Sequence, residues 1–283
     1  MVPHPARTLT VGGTQYARQM PAITVPLPRT GRNTRPRRAA RAALVDVLWD
    51  AQGRRRLPRE RDLADAIAAC SPGDLWWVCE ANSGGPLYLL PTREWLTALT
   101  RFVDGSGARK VLEIGAGDGF LSTVLQRRRP ELHVRATDDF SWTKASRRMS
   151  AADRREFGDT PFCGIQPLPI VEKRSAIATI EEWRPDLVIV SWAPPGTLVE
   201  RAIRASTRLV LDISVDGDVC GRGERTWRFE KEFLDGPLED RALCRLDEAP
   251  HRARATRATL YYGRLHKNFA VTPRPRAHRG ITG

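Results

Sequence analysis

The stretch KVLEIGAGDGFLS, from Lys110 to Ser122, constrains this chain more than any other. An apolar run of strand length ends in Gly115, Gly117 and Gly119. A helical pattern follows, with Phe120 spaced to Val124 and Leu121 to Leu125. Strand, bare turn and helix in that order let a ligand approach main-chain N–H groups at the positive end of a helix. A phosphate-binding P-loop is excluded, because no Gly-Lys-Ser/Thr follows. A dinucleotide fingerprint needs its third glycine where helix meets strand, and Phe120 occupies that position.

The same alternation continues along the chain. HVRATD (133–138), LPIV (168–171), DLVIVSW (186–192) and RLVLDIS (208–214) are apolar runs of strand length, with helical spacings such as Leu198 to Ala202 between them. DLVIV has no polar alternation, as expected of a strand covered on both faces. A doubly wound, mostly parallel α/β sheet follows. RALCRLDEA (241–249) and TLYYGRLH (259–266) have no helix between them and predict an antiparallel hairpin at one edge.

Upstream, Leu44, Val47, Leu48 and Ala51 recur at helical spacing, as do Leu63, Ala66 and Ile67. Pro91 opens a further helix from Thr92 to Val103. Trp76, Trp77 and Trp95 are read as core rather than as a substrate wall. Residues 1–38 carry six prolines and few large apolar side chains, too little to offset ordering entropy. The expected organisation is a disordered Arg/Pro-rich arm (1–38), a helical cap (39–104), a ligand-binding α/β domain (105–268) and a basic flexible tail (269–283).

The formal charge of +13 sits at the ends. Residues 1–45 hold eight arginines and residues 250–283 eight further bases, with no acid in either stretch. The remainder has 30 bases against 33 acids. Basic ends can hold nucleic acid or an anionic surface. Only five of the 46 bases are lysine, however, so a genomic composition skew explains them as well. The five cysteines, Cys70, Cys79, Cys163, Cys220 and Cys244, form no C-x-x-C pair. They suit a reducing cytoplasm, offer no metal framework, and read as small buried hydrophobes. No secretory or membrane-spanning run is visible, so a cytoplasmic protein without a membrane partner is expected.

Glu113, two residues before Gly115, completes E-x-G-x-G-x-G at a strand end. This resembles the first motif of class I, Rossmann-like S-adenosylmethionine-dependent methyltransferases, and the resemblance extends over about residues 109–266. It implies a seven-stranded sheet, S-adenosylmethionine as cofactor, and a cofactor site at Glu113, Gly115, Ala116, Gly117, Gly119, Asp138, Asp139 and Ser191. Asp138, ending the second strand, would hold the ribose hydroxyls. Ser175 and Ala176 stand where many relatives carry an acid toward the adenine.

SWAPPG (191–196) resembles the Asn/Asp-Pro-Pro-aromatic motif of base-methylating enzymes, but Ala193 and Gly196 replace its polar and aromatic residues. The fold implies that Trp192, Pro194 and Pro195 line the acceptor pocket. Asp139, Asp212, Asp216, Asp218 and His251 are candidates for a general base by placement, and GDVCGRGERTWRF (217–229) is a lid or a plain surface loop. The preferred function is methyl transfer to a small molecule or peptide, as in specialised metabolism. The alternatives are an RNA methyltransferase using the basic ends and a cofactor-binding protein without catalysis.

Overall fold

The computed structural model describes residues 35–71, 74–75, 78–79, 87–141, 165–193, 196–206, 208–215, 226–234, 238 and 256–272. Three helices come first: α1 (Arg35–Leu48), α2 (Glu60–Ala68) and α3 (Arg93–Ser106). Then β1 (Lys110–Ile114), α4 (Phe120–Arg128), β2 (His133–Asp138), β3 (Val171–Lys173), α5 (Ala176–Trp183), β4 (Leu187–Ser191), α6 (Leu198–Ala205) and β5 (Leu209–Val215) alternate. The edge is made by β6 (Lys231–Phe233) and β7 (Thr256–Tyr262).

The seven strands form one sheet in the order β3-β2-β1-β4-β5-β7-β6. The first five named run parallel, and β7 is antiparallel to both β5 and β6. This is the Rossmann-like architecture that the glycine turn and the βαβ alternation predict. The hairpin forms, but its partners differ from the expected pair. Residues 241–249 lie outside the described residues, and the strand beside β7 is Lys231–Phe233. A three-residue strand reading KEF has no apolar period, so nothing in its sequence announces it.

Strand alternation divides the interior in two. Val111, Leu187, Ile189, Leu209, Leu211 and Ile213 face α3 and α4, joining Trp95, Leu99, Leu121 and Leu125. Leu112, Ile114, Val188, Val190 and Val210 face α5 and α6, joining Ile180, Val199 and Ile203. The sheet is therefore covered on both sides, which is why its central strands lack polar alternation. Trp95 is core, as expected, and its Nε1 donates to the Leu238 carbonyl at 3.2 Å. Trp76 and Trp77 lie outside the described residues.

The upstream helices enclose their own small core of Leu44, Leu48, Leu63, Ala66, Val78, Cys79 and Leu90. The α1 helix begins at Arg35, four residues inside the stretch expected to be disordered. Ala51 falls past the end of α1, in an exposed turn. Thr92 caps α3 by accepting from the Trp95 amide at 3.1 Å, and Gly107, at φ 68°, ends it. Cys79 is buried and Cys70 half-buried, and the two form no disulfide with each other. Among the described residues no helix is long and apolar enough to cross a membrane.

Candidate functional site

In an open parallel sheet the crevice opens at the carboxyl ends of the strands, where chain order reverses. Here that point lies between β1 and β4, with β2 next to β1. The glycine turn leaves β1 and Trp192 leaves β4, so the fold itself brings the two sequence motifs together.

All three glycines are left-handed, at φ 62°, 57° and 73° for Gly115, Gly117 and Gly119. That conformation costs an L residue about 1–2 kcal/mol. The surroundings then separate them. A Cβ on Gly115 would meet only Leu198 Cδ2 at 3.5 Å, and one on Gly117 only Ile165 Cδ1 at 3.9 Å. A Cβ on Gly119 would lie 2.3 Å from Val171 Cγ2 and 3.1 Å from Ile170 Cγ2. A methyl at either of the first two would thus sit at ordinary contact distance, without overlap. The third, expected among the cofactor contacts, is packed against the entry to β3.

Glu113 lies below the turn, on the α4 side of the sheet. Its Oε2 accepts from the Ser122 amide at 3.0 Å and from Ser122 Oγ at 2.6 Å, which ties β1 to the first turn of α4. Burial raises its pKa to about 7; Ser122 opposes the shift, and the nearby Asp118 and Asp138 carboxylates add to it. The side chain is 4% exposed, so it braces the turn from beneath.

Asp138 ends β2 and closes the other side of the turn. Its Oδ2 accepts from the Gly117 amide at 3.0 Å and its Oδ1 from the Phe140 amide at 2.7 Å. The main chain is linked as well: Ala116 N donates to the Thr137 carbonyl at 3.1 Å, and Arg174 N to the Asp138 carbonyl at 3.1 Å. The acid, the bare turn and the end of β3 form one hydrogen-bonded rim. Asp139 is exposed, and its Oδ1 accepts from the Ser141 amide at 2.8 Å. Phe140, half-buried at φ 56°, has Lys173 Nζ 5.9 Å from its ring centroid. Ser175, considered for the adenine, caps α5, with the Ala178 amide 3.5 Å from its Oγ.

The opposite wall is the end of β4. Ser191 is half-buried, and Trp192 follows at φ 52° with its amide donating to the Ile213 carbonyl at 2.8 Å. A tryptophan held left-handed is a strained residue over-determined by its surroundings. Its indole Nε1 is buried with no hydrogen-bond partner among the described residues. The ring lies against Tyr88, centroids 6.3 Å apart and planes tilted 30°. Tyr88 is 40% exposed while Leu87 and Leu90 are buried. Sequence reasoning missed it: a lone tyrosine among leucines carries no pattern, and only the fold sets it beside Trp192.

Of the base candidates, only Asp139 and Asp212 lie among the described residues. Asp212 is 1% exposed on the α5–α6 side of the sheet, where its Oδ2 accepts from Ser214 Oγ at 3.0 Å. It is a buried strand residue, paired across the sheet with Val190. His251, Asp216, Asp218, Pro194 and Pro195 lie outside the described residues, as does most of 217–229; Thr226–Arg228 form a short 3-10 turn.

No family model matches the chain, and no curated protein does. Solved structures of S-adenosylmethionine-dependent methyltransferases resemble it loosely. The methyltransferase domain of bacterial CtHen1 is 14% identical at a TM-score of 0.35, over 60% of this chain and 98% of that one. A putative caffeoyl-CoA O-methyltransferase from Staphylococcus aureus is 13% identical at 0.34, over 62% and 86%. Magnesium protoporphyrin IX methyltransferase from Synechocystis, with bound S-adenosylhomocysteine, is 11% identical at 0.33, over 59% and 81%. Likeness this loose leaves the chain's own geometry to carry the functional reading.

Proposed function

We propose that the chain is an S-adenosylmethionine-dependent methyltransferase of the cytoplasm, acting on a small molecule or peptide. The observation that carries this is the rim at the switch point: Asp138 bonded to the Gly117 amide beside a turn whose first two glycines meet neighbours at no closer than ordinary contact distance. The residues fit the cofactor chemically. A carboxylate beside main-chain amides suits ribose hydroxyls. The Asp138 carboxylate at the turn also suits a ligand that carries positive charge.

In this reading Asp138 accepts the ribose hydroxyls, and Gly115, Ala116 and Gly117 present main chain to the rest of the cofactor. Bound there, S-adenosylmethionine supplies an electrophilic methyl group. Tyr88 and Trp192 wall the acceptor pocket, orient the acceptor and exclude water. Positioning of this kind supplies much of the rate of a displacement reaction. Asp139, exposed and next in the chain to Asp138, is a carboxylate available where an acceptor must lose a proton.

The test is incubation of the purified protein with methyl-labelled cofactor and, in parallel, a small-molecule and peptide extract or total cellular RNA. Label in a small product supports the proposal. Label in one discrete RNA at physiological salt replaces the acceptor class. Binding of NADH in place of S-adenosylhomocysteine overturns the reading altogether.

A further inference from the structure

Arg55 lies between α1 and α2, far in sequence from the glycine turn, yet its guanidinium reaches it. Arg55 Nη1 is 2.5 Å from Asp118 Oδ2, and Nη2 donates to the Leu89 carbonyl at 3.2 Å. The guanidinium carbon lies 3.9 Å from the Phe120 ring centroid. Only 17% of the Arg55 side chain and 24% of Asp118 is exposed, so solvent screens the pair less than a surface one.

A cation at the N-terminus of α4 is opposed by the helix dipole and needs a reason to be there. Asp118 supplies it. This residue stands between left-handed Gly117 and Gly119, and its Oδ1 accepts from the Phe120 amide at 3.0 Å. Its carbonyl accepts from the Leu168 amide at 2.9 Å. With Arg55 on the remaining carboxylate oxygen, the turn is held from α4, from the entry to β3 and from the helical cap. Two glycines flanking one residue would otherwise leave that segment the freest part of the main chain.

We propose that Arg55 is a positioning residue for the cofactor: it acts through Asp118 to fix the Gly115–Gly119 turn, making the helical cap part of the cofactor site. The proposal rests on the methyltransferase reading above. It also explains why the guanidinium is anchored at Leu89, the neighbour of Tyr88. Residues 88–89 are then linked to the glycine turn through Arg55 and lie against Trp192 through Tyr88. Arginine is required rather than lysine, since a planar fork can stack on Phe120 while donating to two separate oxygens.

The experiment is calorimetric titration of S-adenosylhomocysteine into the full chain and into Arg55→Ala, Arg55→Lys, Asp118→Ala and the Arg55→Ala/Asp118→Ala double variant, with melting followed in each. Loss of a hydrogen bond between charged groups predicts about 10- to 100-fold weaker binding for Arg55→Ala. Arg55→Lys restores less than half of that loss on a logarithmic scale. The double variant binds no more weakly than the weaker single one, because both changes break one linkage. If Arg55→Ala does not fold, the lysine and Asp118→Ala variants still decide. Wild-type binding with all folded variants within twofold of it overturns the proposal, as does additive loss in the double variant. A wild-type chain that binds no S-adenosylhomocysteine instead overturns the cofactor reading, and this inference with it.

Discussion

Replacing each of two neighbouring glycines by alanine should have opposite consequences, and the geometry gives the reason. Both Gly117 and Gly119 are left-handed, so a Cβ at either costs about 1–2 kcal/mol in backbone strain. At Gly117 the new methyl meets nothing closer than 3.9 Å, and the cost ends there. At Gly119 it would lie 2.3 Å from Val171 Cγ2, a branched carbon close to the backbone of β3 that cannot swing away. Overpacking typically adds 1–3 kcal/mol, giving about 2–5 kcal/mol in all for Gly119→Ala. Urea denaturation of both variants measures the difference. Gly119→Ala should lose clearly more stability than Gly117→Ala, and Val171→Ala in the same chain should recover part of it. Titration with S-adenosylhomocysteine should rank them the other way, because the Gly117 methyl enters the ligand's space. A Gly119→Ala protein as stable as wild type, or a Gly117→Ala protein that binds unchanged, would refute this division of labour.

Three further outcomes are expected. Burial holds Glu113 at about 7, above its ordinary 4.5. Its stabilising contribution is therefore full below about pH 4.5, is lost as pH rises to about 7, and stays lost above that; the difference is about 3 kcal/mol. Glu113→Gln should flatten that part of the stability–pH curve, as read by denaturation at a series of pH values, and an unchanged slope would refute the assignment. Trp192→Ala and Tyr88→Ala should each lower turnover at least about tenfold while leaving S-adenosylhomocysteine affinity within about twofold, a separation expected of residues that position the acceptor alone. Deleting residues 1–34 should leave melting temperature and cofactor affinity nearly unchanged, since α1 begins at Arg35.

Much of the sheet was legible in the sequence because buried parallel strands must be continuous and apolar. Lys110–Ile114 and His133–Asp138 occur as expected, and DLVIVSW and RLVLDIS contain β4 and β5 to within a residue or two at each end. The edges were not legible. LPIV overlaps β3 only at Val171, and Leu168 is exposed, because a three-residue edge strand needs no apolar run. The end of β7 was placed four residues too late, since Gly263 breaks the strand. There a Cβ would lie 2.6 Å from the Ser206 carbonyl, a long-range contact that no local pattern displays.

The candidate site divides in the same way. The left-handed turn at Gly115 and Gly117 and the strand end at Asp138 were legible because both have fixed local chemistry. Gly119 belongs to the same motif, yet its role is set by Val171, more than fifty residues downstream. Arg55 and Tyr88 carry no local signal at all. Each meets a partner that only the fold brings near, Asp118 for one and Trp192 for the other.

The central claim is that Asp138 and the glycine turn hold S-adenosylmethionine by its ribose and main-chain contacts. Calorimetric titration of S-adenosylhomocysteine into wild type, Asp138→Ala and Asp139→Ala tests it most directly, with NADH as the control ligand. The account predicts binding to wild type, no NADH binding, and a loss of roughly 10- to 150-fold for Asp138→Ala, from hydrogen bonds to a charged group of about 1.5–3 kcal/mol. Asp139→Ala, altering an exposed side chain, should change affinity by less than about threefold. Equal, small effects from the two variants, or binding of NADH alone, would contradict it.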